Sequence, residues 1–149
     1  MKSLYVTGAL VVCVLASYAS SSSAGRAEDY YDTRLVRSWI ELEPSVLEGD
    51  AFLGKTIYRS GDRIALGIAH AFSPKELLDP DRLRRILSIV RLSFSRPKYV
   101  TRDEDRDPAV TRLLLYFLEQ REQDEKLKSL ITDTEKYIST QAGGGSLNH

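Results

Sequence analysis

Gly49-Asp50-Ala51-Phe52-Leu53-Gly54-Lys55-Thr56 matches the phosphate-loop pattern G-x-x-x-x-G-K-[ST] letter for letter. In that chemistry the glycines let backbone amides converge on phosphate, and the lysine and threonine serve phosphate and magnesium. The motif works only between a buried strand and a helix. Here Glu43-Pro44-Ser45 leaves Val46-Leu47 as the whole of any preceding strand, and Gly61 follows Thr56 within five residues. The expectation is therefore a glycine-containing loop with Phe52 and Leu53 packed inward, and no nucleotide. Asp103, Asp105 and Asp107 have the one-three-five spacing that opens a calcium loop. Its sixth position should be glycine and is Pro108, and its twelfth should be glutamate and is Leu114. A helix cap at Asp107 behind a solvated linker accounts for these residues better. Neither a metal nor another cofactor is expected.

The segment Arg82-Leu83-Arg84-Arg85-Ile86-Leu87-Ser88-Ile89-Val90-Arg91 is different in kind. On a helix, Arg84, Arg85, Ser88 and Arg91 lie opposite an apolar face. That arrangement suits an acidic protein, a sulfated polysaccharide or an anionic lipid surface. Folded bundles also use such helices, with arginine stems covering apolar surface. Residues 75–102 carry a net charge of +5 and residues 103–136 a net charge of −4. The two regions can pair within one molecule, or the basic one can meet an anionic partner. The partner-binding candidates are Arg82, Arg84, Arg85, Arg91, Arg96 and Lys98. Arg84-Arg85 is a dibasic pair, but its place inside an amphipathic helix argues against cleavage.

Tyr30 and Tyr31, flanked by Glu28, Asp29 and Asp32, are candidate sulfation sites on a secretory route, against the plainer reading that Tyr31 packs. His70 stands between two alanines, with no cysteine and no second internal histidine to join it in a zinc site. It reads as a histidine at the edge of the core. No catalytic set is visible, so no enzyme activity is expected. Hydrolysis by two placed carboxylates is the alternative that sequence leaves open.

These residues are carried by a chain of 149, with 21 basic and 21 acidic side chains and a single cysteine, Cys13. Neutral overall charge argues against nucleic acid as a partner. Lys2, the apolar run Leu4 to Ala16, and small residues before Ala19 and Ala24 form a signal-peptide pattern, with cleavage after one of those alanines. The run is shorter than the roughly 20 residues a membrane-spanning helix needs. Removal of 1–24 takes Cys13 with it and leaves a secreted, extracellular chain with no thiol, dependent on its packed core. Asn148 is followed only by His149, so no N-glycosylation sequon exists. The expected domains are a signal at 1–24, a single helical domain at 25–141 and a flexible tail at 142–149.

Helical spacing recurs through the body. Tyr31, Leu35, Val36, Trp39 and Ile40 share a stripe, as do Ile64, Ala65, Ile68, Ala69 and Phe72, with Asp62 as cap. Ser73-Pro74-Lys75-Glu76 is a capping box, and Asp79-Pro80 repeats a cap-plus-proline start. Leu83, Ile86, Leu87, Val90 and Phe94 then recur at three and four. Val90 to Ser95 also alternates as a strand would; helix is preferred to about residue 91. Asp107-Pro108 opens a proline-free and glycine-free run to about 140. Eight polar residues, Glu119 to Lys126, make that run either one helix with a solvated waist or two. The heptad-like spacing puts Gln120, Asp124 and Thr134 at core positions, which is unlike a coiled coil.

The predicted fold class is all-α, a small bundle of four to five helices with a long C-terminal helix or helix pair. The predicted function is a secreted helical binding protein that contacts an acidic protein or polyanion through 82–98. The stripe in 110–138 serves the core or self-association into a homo-oligomer. The alternative is an extracellular carrier of a lipid or small apolar ligand.

Overall fold

The computed structural model describes residues 33–97 and 107–143. They form eight α-helices: α1 (Thr33–Glu41), α2 (Pro44–Gly49), α3 (Ala51–Ser60), α4 (Arg63–Ala71), α5 (Pro74–Leu77), α6 (Pro80–Phe94), α7 (Ala109–Arg121) and α8 (Glu125–Gly143). The all-α class holds; the count of four to five does not. The additional helices are short. The segment 49–56, expected to be a glycine-containing loop, instead falls at the end of α2 and within α3. Residues 74–77 form a single turn between two proline starts. Helices of four and six residues give periodicity too few turns to register; α2 is marked only by its proline start, and α3 and α5 by their caps.

Those caps are explicit. Asp50 sits between α2 and α3, and its carboxylate accepts from the amides of Phe52 (2.9 Å) and Leu53 (3.1 Å). Gly61 ends α3 with φ 53° and ψ −132°, a conformation a side chain would strain, so the Ser60-Gly61-Asp62 turn needs glycine. The Ser73 hydroxyl accepts from the Glu76 amide at 3.3 Å, and Glu76 Oε1 accepts from the Ser73 amide at 3.2 Å. Asp79 accepts from the Arg82 amide at 3.1 Å and starts α6. The strand alternative for 90–95 is replaced by helix through Phe94.

α6 is the central element. It packs against α1, α3, α4, α5 and α8, while α1 packs on α4, α4 on α7 and α7 on α8. Helices α6, α8, α7 and α4 thus trace a closed circuit around the core. The expected stripe Leu83, Ile86, Leu87, Val90 and Phe94 is buried, and so are Ile89 and Ser93. Neighbours on several sides bury more of α6 than a one-sided amphipathic helix would. Val36, Trp39, Ile40, Ile64, Ala65 and Ile68 complete the near half of the core, and Leu114, Phe117, Leu118, Leu127, Ile131 and Ile138 the far half. Three buried hydroxyls are satisfied locally: Ser60 donates to Thr56 O, Ser93 to Val90 O and Thr134 to Leu130 O.

The C-terminal run is a helix pair. Glu122 Oε1 accepts from the amides of Gln123 and Asp124, and Asp124 in turn accepts from Lys126 (2.9 Å) and Leu127 (3.2 Å) at the head of α8. The polar waist is therefore a break with its own cap. The break resets the helical phase, leaving Gln120 and Asp124 exposed while Thr134 is buried. No helix among the described residues is long and apolar enough to cross a membrane.

The start of α7 departs most from expectation. Its N-cap is Pro108, which supplies no side-chain acceptor, and Asp107 does not cap the helix. The acceptor comes instead from Asp62, 48 residues earlier. The Asp62 carboxylate accepts from the Val110 amide (2.9 Å), the Thr111 amide (2.7 Å) and the Thr111 hydroxyl (2.7 Å). Asp62, expected to cap its own helix α4, makes no side-chain cap bond there. One carboxylate thus joins the beginnings of two helices.

Candidate functional site

The basic face of α6 is built by the Asp79-Pro80 start, which fixes the helix phase, and by the buried stripe, which fixes its rotation. The six candidate residues then separate. Arg82 is half-buried. It donates to Glu76 O at 3.1 Å, and its guanidinium lies 5.2 Å from the Phe72 ring centroid. Arg85 donates to Glu41 O at 2.8 Å, at the end of α1, and to Glu43 Oε1 at 2.9 Å. A cation at a helix C-terminus is stabilised by the exposed carbonyls as well as by the carboxylate. Arg91 reaches across to α8, donating to Thr134 Oγ1 at 3.3 Å and lying over the Tyr137 ring at 5.3 Å. Beside it, Ser95 and the Tyr137 hydroxyl share a hydrogen bond. These three arginines fasten α6 to α5, α1 and α8.

Arg84 faces outward. Its side chain is 58% exposed, and its ion pair at 3.6 Å is with Asp81, itself 86% exposed. Arg96 is exposed just past the end of α6. Lys98, Tyr30 and Tyr31 lie outside the described residues. At 1.5 Å per residue, Arg84 and the last residue of α6 are about 15 Å apart along the axis. Among the described residues, the structure therefore does not gather the basic candidates into one patch. The expected pairing of the basic middle with the acidic last helix is also replaced in part: Arg85 pairs with Glu43, and Arg91 meets a hydroxyl and an aromatic ring on α8.

The phosphate-loop look-alike is part of a helix. Gly54, Lys55 and Thr56 are inside α3, and the amides of its first turn are already taken by Asp50. Phe52 does not pack inward as expected but is 76% exposed, while Leu53 rests against the core. The Asp50 cap sets this rotation, since it starts the helix three residues before Gly54. The calcium-like spacing falls mostly outside the described residues. Among the described residues, no group of three or more His, Cys, Asp and Glu side chains could hold a metal ion. His70 lies exposed in the last turn of α4 rather than at the core edge.

No known protein family, curated protein or solved structure matches this chain. Its chemistry must be argued from its own residues.

One cluster escaped the sequence reading. Phe72 is buried where α4 meets α5, and two guanidiniums lie against its ring, Arg37 at 5.0 Å and Arg82 at 5.2 Å. Arg37 also donates to Ala71 O at 2.7 Å and pairs with Glu76 at 3.7 Å. The positions of Arg37 and Phe72 in sequence are 35 apart, so no local pattern could announce the pair. The Ser73 amide that donates to Glu76 holds its carboxyl below the ordinary value of 4.5. Desolvation opposes this, and the Ser73 hydroxyl, Arg37 and Arg82 reinforce it. A depressed carboxyl stabilises the fold above its unfolded value and loses that contribution as pH falls through the folded one. A carbon-detected NMR titration should place the Glu76 midpoint below 4.5, and Ser73→Ala should move it upward. An unchanged midpoint in the variant would show that the Ser73 hydroxyl contributes nothing and that the backbone amide, which alanine keeps, is sufficient.

Proposed function

We propose that this chain is an exported helical interaction protein, not an enzyme, and that Arg84 on α6 contacts an acidic protein surface or polyanion. Export is supported by Lys2, the apolar run Leu4 to Ala16 and the small residues before Ala19 and Ala24. The observation that carries the contact is the state of Arg84. Its partner Asp81 is a solvent-exposed neighbour one turn away, and such pairs contribute only about 0–1 kcal/mol. An incoming anion can replace Asp81 at little cost. Arg82, Arg85 and Arg91 hold the helix beneath, so Arg84 projects from a fixed platform.

The first test is intact-mass analysis of protein secreted by its native cell. The expected product begins at Ser20 or Gly25, and the same measurement reads sulfate on Tyr30 or Tyr31. Retention of residues 1–24 would remove the case for export. The second test is elution from heparin and from immobilised polyglutamate. Arg84→Gln should elute at clearly lower salt than wild type, with an unchanged melting temperature. Arg85→Gln should lower the melting temperature. Equal elution of wild type and Arg84→Gln would end the assignment, as would no retention of wild type at low salt.

A further inference from the structure

We infer that the outward face of α7 is a self-complementary surface on which a second copy of this chain docks antiparallel. At 100° per residue, Ala109, Leu113, Tyr116 and Gln120 fall within an arc of about 60°. All four are exposed; Leu113 is 40% and Tyr116 48% accessible. Their spacing of four, three and four is that of one seam of a paired helix. The opposite side of α7 is occupied, with Val110, Leu114, Phe117 and Leu118 in the core. The seam is therefore a second stripe, apolar at Ala109, Leu113 and Tyr116, on a helix that has already buried its first.

The charges beside the seam select the occupant. Arg112 and Glu119 share one flank, seven residues and about 10.5 Å apart. A two-fold axis that sets Leu113 against Tyr116 of the second copy also sets Ala109 against its Gln120. The same operation brings Arg112 beside Glu119 of the second copy, and does so twice. A parallel pairing would instead put the two copies of this flank on opposite sides of the seam, so that Arg112 and Glu119 would not meet. An unrelated acidic or basic partner would match only one of the two charges. Arg112 is otherwise held loosely, reaching Ser139 Oγ at 3.5 Å, the outer limit of a hydrogen bond. A face on one 13-residue helix is about 20 Å long, less than a standard interface offers. The dimer is accordingly weak and concentration-dependent.

Sedimentation velocity on the secreted chain, from about one to a few hundred micromolar, tests this directly. Wild type should pass from monomer to dimer within that range. Arg112→Glu and Glu119→Arg should each raise the midpoint about tenfold by placing like charges together. The double reversal should restore it to within about threefold of wild type. Residues seven apart on one helix cannot pair within a chain, so that recovery can come only from contact between copies. Tyr116→Ser, which alters the seam without changing charge, should also weaken the dimer, and far-UV circular dichroism checks that each variant is folded. The inference is overturned by a monomer at every concentration, by single reversals without effect, by a double reversal that fails to recover, or by a dimer indifferent to Tyr116→Ser.

Discussion

Replacing Asp62 with alanine should destabilise the fold by about 2–4 kcal/mol, a large share of the stability of a domain this size. Three donors converge on that carboxylate, two of them first-turn amides of α7. The helix has no side-chain cap of its own, because its N-cap is Pro108. Loss of an ordinary cap costs about 0.5–2 kcal/mol. Here the acceptor is charged, faces the positive end of the helix dipole, and also satisfies the hydroxyl of Thr111, which is 1% exposed. Removing the carboxylate leaves buried donors without an acceptor, which is the expensive way to lose a hydrogen bond. Urea unfolding followed by the fluorescence of Trp39, the sole tryptophan and 3% exposed, measures the effect. Asp62→Asn keeps an acceptor but not the charge, so about half of the loss should return. Thr111→Val should cost about 1 kcal/mol alone and much less in the Asp62→Ala background, because the two share one network. A loss below about 0.5 kcal/mol for Asp62→Ala would mean that the α7 start is held by packing alone.

Asp62 also marks where sequence reasoning stops. An aspartate after Gly61 and before an apolar stripe has every local feature of a cap for α4. Which amides it meets is decided by the approach of α7 from 48 residues away, and local spacing carries no record of that. Two devices whose donor and acceptor are sequence neighbours were read faithfully, whereas the equally local Asp50 cap was missed and the expected Asp107 cap does not form. The Ser73–Glu76 box and the Asp79-Pro80 start are both realised at the residues that announce them. The buried faces of α4 and α6 were legible for the same reason, since helical period is a local property. The number of helices was not, because α3 and α5 are fixed by caps, and α2 by a proline start, rather than by period. The candidate site divides along the same line. That 82–91 would be a basic amphipathic helix could be read directly. That Arg85 would close over the end of α1, and Arg91 over Tyr137, depends on which helices lie alongside. Arg84 stays outward because, among the described residues, only Asp81 on its own helix is placed to pair with it.

The second large effect tests the centrality of α6. Ile89→Ala should cost about 3 kcal/mol, comparable to Ile86→Ala, in the range for isoleucine truncations that leave a cavity. From sequence the two positions are unequal. Ile86 belongs to the stripe of Leu83, Leu87, Val90 and Phe94, whereas Ile89 is turned about 60° farther from it, toward the basic side. In the structure both side chains are fully buried. α6 has neighbours on several sides, so a residue off the stripe meets another helix instead of water. Leu92, farther round and only partly buried, should cost less, about 1–2 kcal/mol. Denaturant unfolding of the three alanine variants gives the ordering. Ile89 grouping with Ile86 means that α6 is enclosed, and that the arginines on its polar side fasten helices together. Ile89 falling below about 1 kcal/mol while Ile86 stays near 3 would mean a one-sided helix. The arginines of α6 would then face solvent together, and the restriction of anion contact to Arg84 would fail with it.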